Sequence, residues 1–146
     1  MHIIGLTGGI GAGKSAVANI FRQLYVPVYN SDERAKWLMN NNDRLKNELI
    51  LAFGSNSYIE GIIDRNYLSN LVFKDSSKLK LINTIVHPYV KSDFEDWVNN
   101  NKTAPYVIKE AAILIESGAY KQVDSVLLIQ ADLEQRINRV ISRDKV

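Results

Sequence analysis

The 146-residue sequence contains no cysteine, which excludes a disulfide scaffold, a thiolate zinc site and a cysteine nucleophile. His2 and His87 are its only histidines, too few for a histidine-rich metal centre. Excess charge is scarce as well. Eighteen Lys and Arg against sixteen Asp and Glu leave a net +2, which predicts no general binding of nucleic acid or other polyanions and leaves room for local basic sites alone. No apolar run approaches the about 18–20 residues of a membrane span. The first residues lack a basic lead and are broken by glycines, so they do not read as a signal peptide. A composition of 46% hydrophobic and 23% charged residues argues against a disordered or fibrous chain. The expectation is a single cytoplasmic domain, long enough to bury its own core, without nucleic-acid or membrane partners.

Strands and helices alternate at both ends of the sequence. Residues 2–6 (HIIGL) are an apolar run bounded by glycine, suiting a buried parallel strand. Ala16, Val17, Ile20, Phe21 and Leu24 follow at the spacing of one helix face. Pro27, Val28 and Tyr29 read as a second strand, after which Ser31 or Asp32 can cap a helix through Leu38. Asn40, Asn41 and Asn42 read as a turn. Residues 44–100 read as mostly helical, with Leu45, Leu49 and Phe53 four apart and Pro88 opening a new helix. Residues 106–108 and 126–129 read as two further buried strands, and residues 133–143 as a last helix. This order predicts an α/β fold: a parallel sheet with a helical insertion. Phe94, Trp37 and Trp97 are expected in the core.

Between the first strand and first helix lies Gly8-Gly9-Ile10-Gly11-Ala12-Gly13-Lys14-Ser15, then Ala16, a full match to G-x-x-x-x-G-K-[ST] in the required context. Glycines let successive N–H groups turn inward around phosphate oxygens, and the helix N-terminus adds partial positive charge. Lys14 supplies a point charge for the β- and γ-phosphates, and the Ser15 hydroxyl a ligand for Mg²⁺. Gly11 to Ala16 also satisfies a dinucleotide pattern with Asp32 about twenty residues on. That pattern does not ask for Lys14-Ser15, so a nucleoside triphosphate is the better ligand. The guanine signature N-K-x-D is missing, because Asn101-Lys102-Thr103-Ala104 lacks the aspartate. No apolar strand runs into a clear Walker-B aspartate; Gln130 follows one and Lys109-Glu110 the other.

The opening Gly5-Leu6-Thr7-Gly8-Gly9-Ile10-Gly11-Ala12-Gly13-Lys14-Ser15 resembles that of the dephospho-CoA kinases. The likeness continues through Ser31-Asp32 with Ala35-Lys36, Asp64-Arg65, His87-Pro88, Ile113-Leu114-Ile115-Glu116 and Arg139-Val140-Ile141-Ser142-Arg143-Asp144. It implies a P-loop kinase-like fold and transfer of the ATP γ-phosphoryl group to the ribose 3′-hydroxyl of dephospho-CoA, the last step of coenzyme A synthesis. On that resemblance the sheet core spans residues 1–30 and 104–132, a helical acceptor-binding region residues 31–103, and the start of a lid residues 133–146. Two departures stand out. Asn30 occupies a position where the family often has an acid, and the family continues through the rest of a lid and a last strand. Another small metabolite kinase and a non-catalytic nucleotide-binding relative are the rival readings.

The candidate roles follow. Asp32 suits a general base that orients the hydroxyl and accepts its proton; its simpler role is a helix cap, and the two are compatible. Arg136, Arg139 and Arg143 share one helix face by their spacing, either as a solvated basic stripe or as a cationic clamp on the γ-phosphate. The resemblance favours Arg139 and Arg143. Arg65 and His87 are the candidates on the acceptor side. Arg65 suits either a phosphate of the acceptor or a local ion pair; His87, before a proline, suits mainly a structural role rather than that of an acid or base.

Overall fold

The computed structural model describes residues 1–144, which form two compact units. Lys145 and Val146, the end of the anticipated lid segment, lie outside the described residues. Among the described residues, one unit comprises residues 1–32 and 97–144, the other residues 33–96.

The first unit is built on a four-stranded parallel sheet. Strand β1 (His2–Gly8) leads through the glycine-rich loop into helix α1 (Lys14–Gln23). Strand β2 (Val28–Asn30) leads directly into helix α2 (Ser31–Asn41). Strand β5 (Tyr106–Glu110) and strand β6 (Ser125–Ile129) complete the sheet in the order β2-β5-β1-β6, and helix α6 (Leu133–Asp144) follows β6. The register pairs Leu6 with Glu110 and Leu127, and Asn30 with Glu110. All four strands therefore end at one edge.

Burial explains this order. Val107 and Ile108 of β5 are fully buried between β1 and β2, as a continuous apolar strand requires. Leu6, Ala18 and Ile108 form a core with Val17, Phe21 and Tyr106, where the Phe21 and Tyr106 rings meet edge to face at 6.4 Å. Tyr29 is buried against the Trp97 ring at 5.4 Å. Strand β6 departs from the buried strand expected at 126–129. It pairs only with β1 among the described residues, and Val126, Leu127 and Leu128 stay exposed at 43%, 38% and 49%.

The second unit contains the rest of α2, helix α3 (Asp43–Phe53), helix α4 (Arg65–Lys74) and most of helix α5 (Ser77–Asn99). Leu45, Leu49 and Phe53 bury one face of α3 against Leu38, Ile63, Leu68 and Val86. The asparagine turn shrinks to one residue: α2 runs through Asn41, and Asn42 caps α3 by accepting from the Leu45 N–H at 3.0 Å. Asp64 caps α4 in the same way through the Tyr67 N–H at 3.1 Å.

Three expectations need correction here. Pro88 does not open a helix but lies inside the 23-residue α5, whose buried Val86 and Phe94 on either side offset the lost backbone hydrogen bond. The helical stretch is also interrupted by a hairpin of strands β3 (Tyr58–Ile59) and β4 (Ile62–Ile63). Its turn residues Glu60 and Gly61 both have positive φ, as a two-residue primed turn demands. Trp37 is not core: it is half exposed, with the Arg34 guanidinium 4.4 Å over its ring. Arg34 in turn grips Asp93 of α5 in a bidentate pair at 2.7 and 2.9 Å. Tyr58 donates to the Met39 carbonyl at 2.7 Å, and burial pushes its phenol up to about 12.

Because Leu49 is fully buried in this small core, Leu49→Ala is expected to destabilise the chain by about 2–5 kcal/mol through lost transfer energy and a residual cavity. Urea unfolding followed by circular dichroism measures it, and a loss below about 1 kcal/mol would contradict this packing.

Candidate functional site

The loop after β1 owes its shape to the absence of side chains. Gly13, with φ of 101°, is the N-cap of α1, and Val17 N–H donates to its carbonyl at 3.2 Å. The amides of Lys14, Ser15 and Ala16 thus lie in the first turn, where no intrahelical acceptor exists. They form the donor end of the helix, where an anion is favoured. Gly11 has φ of +76°, and a Cβ there would stand 2.5 Å from the Arg136 carbonyl oxygen. Side chains are barred on both counts.

Helix α6 lies against this loop. Arg136 Nε donates to the Ile10 carbonyl at 2.9 Å, and Arg139 Nη1 donates to the Gly11 carbonyl at 2.9 Å. A cavity of about 570 Å³ opens beside them, lined by Gly9, Ala12, Ile129, Gln130, Asp132 and Arg136. Its size is that of a small-molecule site. Asp132 also caps α6 by accepting from the Gln135 N–H at 2.8 Å. Arg143, two turns beyond Arg136, pairs with its neighbour Asp144 at 2.8 Å. The guanidinium holds the Asp144 carboxyl below its usual range, and the pair is exposed.

Asp32 stands on the first turn of α2, exposed, at the carboxyl edge of the sheet. Its Oδ2 accepts from the Ala112 N–H at 3.3 Å, and its own N–H donates to Asn30 Oδ1 at 3.1 Å. The cap of α2 is therefore Asn30, one residue before the two expected candidates. Glu110 ends β5 next to these groups. It is 3% exposed, accepts from Asn30 Nδ2 at 3.3 Å, and has Arg22 of α1 at 3.9 Å. Ligands of open α/β sheets bind at this carboxyl edge.

Arg65 and His87 belong to the helical unit. Arg65 is the first residue of α4 and His87 precedes Pro88 in α5, both exposed. The structure also brings to this edge Glu110, which the sequence does not single out, and sets Arg136, ranked there below Arg139 and Arg143, against the loop. A parallel register was the signal for Glu110, because an acid closing an interior strand must share the edge of the glycine loop. Arg136 could not be ranked by periodicity, which puts all three arginines on one face. Among the described residues no group of three or more His, Asp and Glu is placed to hold a metal ion.

Residues 2–146 match a family model described as dephospho-CoA kinase. A dephospho-CoA kinase of Porphyromonas gingivalis is 40% identical over 144 residues, covering 99% of this chain and 71% of that protein. One of Bacteroides fragilis is 36% identical over 141 residues, covering 97% and 69%. Among solved structures, TT1252 from Thermus thermophilus superimposes with a TM-score of 0.84 at 34% identity, covering 99% of this chain and 73% of that one. A dephospho-CoA kinase from Campylobacter jejuni shares the fold, with a TM-score of 0.68 at 22% identity and the same coverage.

The loop geometry makes a direct prediction. Gly11→Ala is expected to weaken ATP binding by about tenfold or more, since left-handed backbone strain alone costs about 1–2 kcal/mol per residue. Gly118 has a similar φ of +79° but open space around it. Gly118→Ala is therefore expected to leave the ATP Kd within about twofold. Isothermal titration of both variants measures this, and equal losses would show that strain anywhere, rather than loop shape, governs binding.

Proposed function

The chain belongs to the dephospho-CoA kinase family, and from that premise we propose that Lys14, Asp32 and Arg139 carry its phosphoryl transfer. The observation that supports this reading most is the edge they share. The glycine loop closing β1 and the carboxylate that follows β2 hang from the same carboxyl edge of one parallel sheet, with the end of β5 between them.

In the proposed reaction the backbone amides of residues 9–16 and the Lys14 ammonium bind the β- and γ-phosphates of ATP. Asp32 orients the ribose 3′-hydroxyl of dephospho-CoA and accepts its proton. The 3′-oxygen forms a bond to the γ-phosphorus as the bond to the β–γ bridging oxygen breaks, and ADP leaves. Arg139 spends one N–H on the Gly11 carbonyl, and its other donors serve the phosphate oxygens as charge builds. Arg143 reaches the same oxygens by releasing Asp144, an exposed pair that costs little to break. Arg65 and His87 are assigned to acceptor binding from the helical unit.

Mg²⁺ fits the donor set. The Ser15 hydroxyl is a hard oxygen ligand on the first turn of α1, and a cation that keeps several waters and binds phosphate oxygens needs no cage of protein carboxylates. When bound, it neutralises phosphate charge. ATP and dephospho-CoA are the small-molecule partners, and the cytoplasm is the compartment this reading implies.

Two variants test the assignment. Lys14→Ala is expected to remove most ATP·Mg²⁺ binding or the turnover that depends on it, and unchanged turnover would sink the loop's role. Asp32→Asn is expected to lower kcat by about 10²–10⁴-fold with little change in either KM, the signature of an interaction made in the transition state. A fall in thermal stability alone would make Asp32 a structural residue that holds the Ala112 N–H and not the base.

A further inference from the structure

Asn30 and Glu110 are register partners at the ends of β2 and β5, so their side chains share one face of the sheet. Burying a carboxylate is costly unless it is hydrogen-bonded or paired. The Glu110 carboxylate is buried, with the Arg22 guanidinium 3.9 Å from its Oε2. Asn30 Nδ2 donates to Glu110 Oε2 at 3.3 Å. The other end of the same amide, Oδ1, accepts the Asp32 N–H at 3.1 Å. A side chain that donates at one end and accepts at the other must be an amide here; an ionised acid can only accept. The end of β5 also reaches Asp32 directly, through the Ala112 N–H on Oδ2 at 3.3 Å. Asp32 is therefore held twice, at its carboxylate by the Ala112 N–H just beyond β5 and at its backbone by the Asn30 side chain at the end of β2.

We infer that Asn30, backed by buried Glu110, is a positioning residue for Asp32: the Glu110–Asn30 pair fixes the first turn of α2 and so aims the base at the acceptor hydroxyl. The inference rests on the reading of Asp32 as the base. A carboxylate at position 30 would face the Glu110 carboxylate across the two strand ends.

The experiment exchanges the two groups. Asn30→Asp keeps the acceptor for the Asp32 N–H but loses the donor and adds a like charge. The double variant Asn30→Asp/Glu110→Gln returns a donor to position 110 and restores one amide and one carboxylate. Steady-state kinetics of dephospho-CoA phosphorylation are measured for wild type, Asn30→Asp, Glu110→Gln, the double variant and Asp32→Asn, with melting temperatures. Asn30→Asp is expected to lower kcat about tenfold while both KM values stay within about twofold, because small misplacement of a catalytic group costs rate rather than ground-state binding. The double variant is expected to recover kcat to within about threefold of wild type, the coupling that contacting residues show. If Asn30→Asp does not fold, repair of folding by Glu110→Gln reads the same contact, and the kcat of the repaired protein decides in the same way. A folded double variant no better than Asn30→Asp, with Asp32→Asn still inactive, overturns the positioning role and leaves Asp32 as base. Full kcat in Asp32→Asn overturns both.

Discussion

Parallel pairing is the constraint on which the rest of the sheet unit depends. Because β1 lies between β5 and β6, and β5 between β1 and β2, all four carboxyl ends meet at one edge. The loop that leaves β1 at this edge has left-handed backbone at Gly11 and Gly13, and the Arg136 backbone leaves no room for a side chain at Gly11. The same edge places Asn30, Asp32 and Glu110 within one hydrogen-bonded chain. Register sets these distances, since a shift of one residue along β5 would turn Glu110 to the opposite face.

The helical unit follows a different rule. Its core is a cluster of Leu, Ile, Val and Phe side chains from four helices and one short hairpin, closed by local caps at Asn42 and Asp64 and by tyrosine hydroxyls on backbone carbonyls. Arg34 and Asp93 tie α2 to α5 in a bidentate pair. Such a unit can present exposed polar residues such as Arg65 and His87 without drawing on them for its stability.

Local rules read from the sequence succeed where a single interaction decides. The glycine loop, the apolar run of β5 and the i, i+4 spacing of Leu45, Leu49 and Phe53 each reflect one such interaction, and the structure contains all three. Pro88 fails the rule because the packing of Val86 and Phe94 outweighs a missing N–H. The Tyr58–Ile63 hairpin is too short for a strand period to be visible, and Glu60 is an unusual residue at positive φ. The exposure of β6 depends on which strands flank it, which no local pattern encodes. Glu110 was visible as a residue but not as part of a site, since its meaning comes from the register with Leu6 and Asn30.

The central claim is that the edge built by Lys14, Asp32 and their neighbours moves a phosphoryl group from ATP to one hydroxyl of one acceptor. The most direct measurement is phosphorus NMR of the product formed from ATP, Mg²⁺ and dephospho-CoA, with nucleoside monophosphates as competing acceptors. The account predicts a new phosphomonoester on the ribose 3′-oxygen of dephospho-CoA, formed in preference to any nucleoside diphosphate. Phosphorylation of a nucleoside monophosphate with dephospho-CoA left untouched would contradict it.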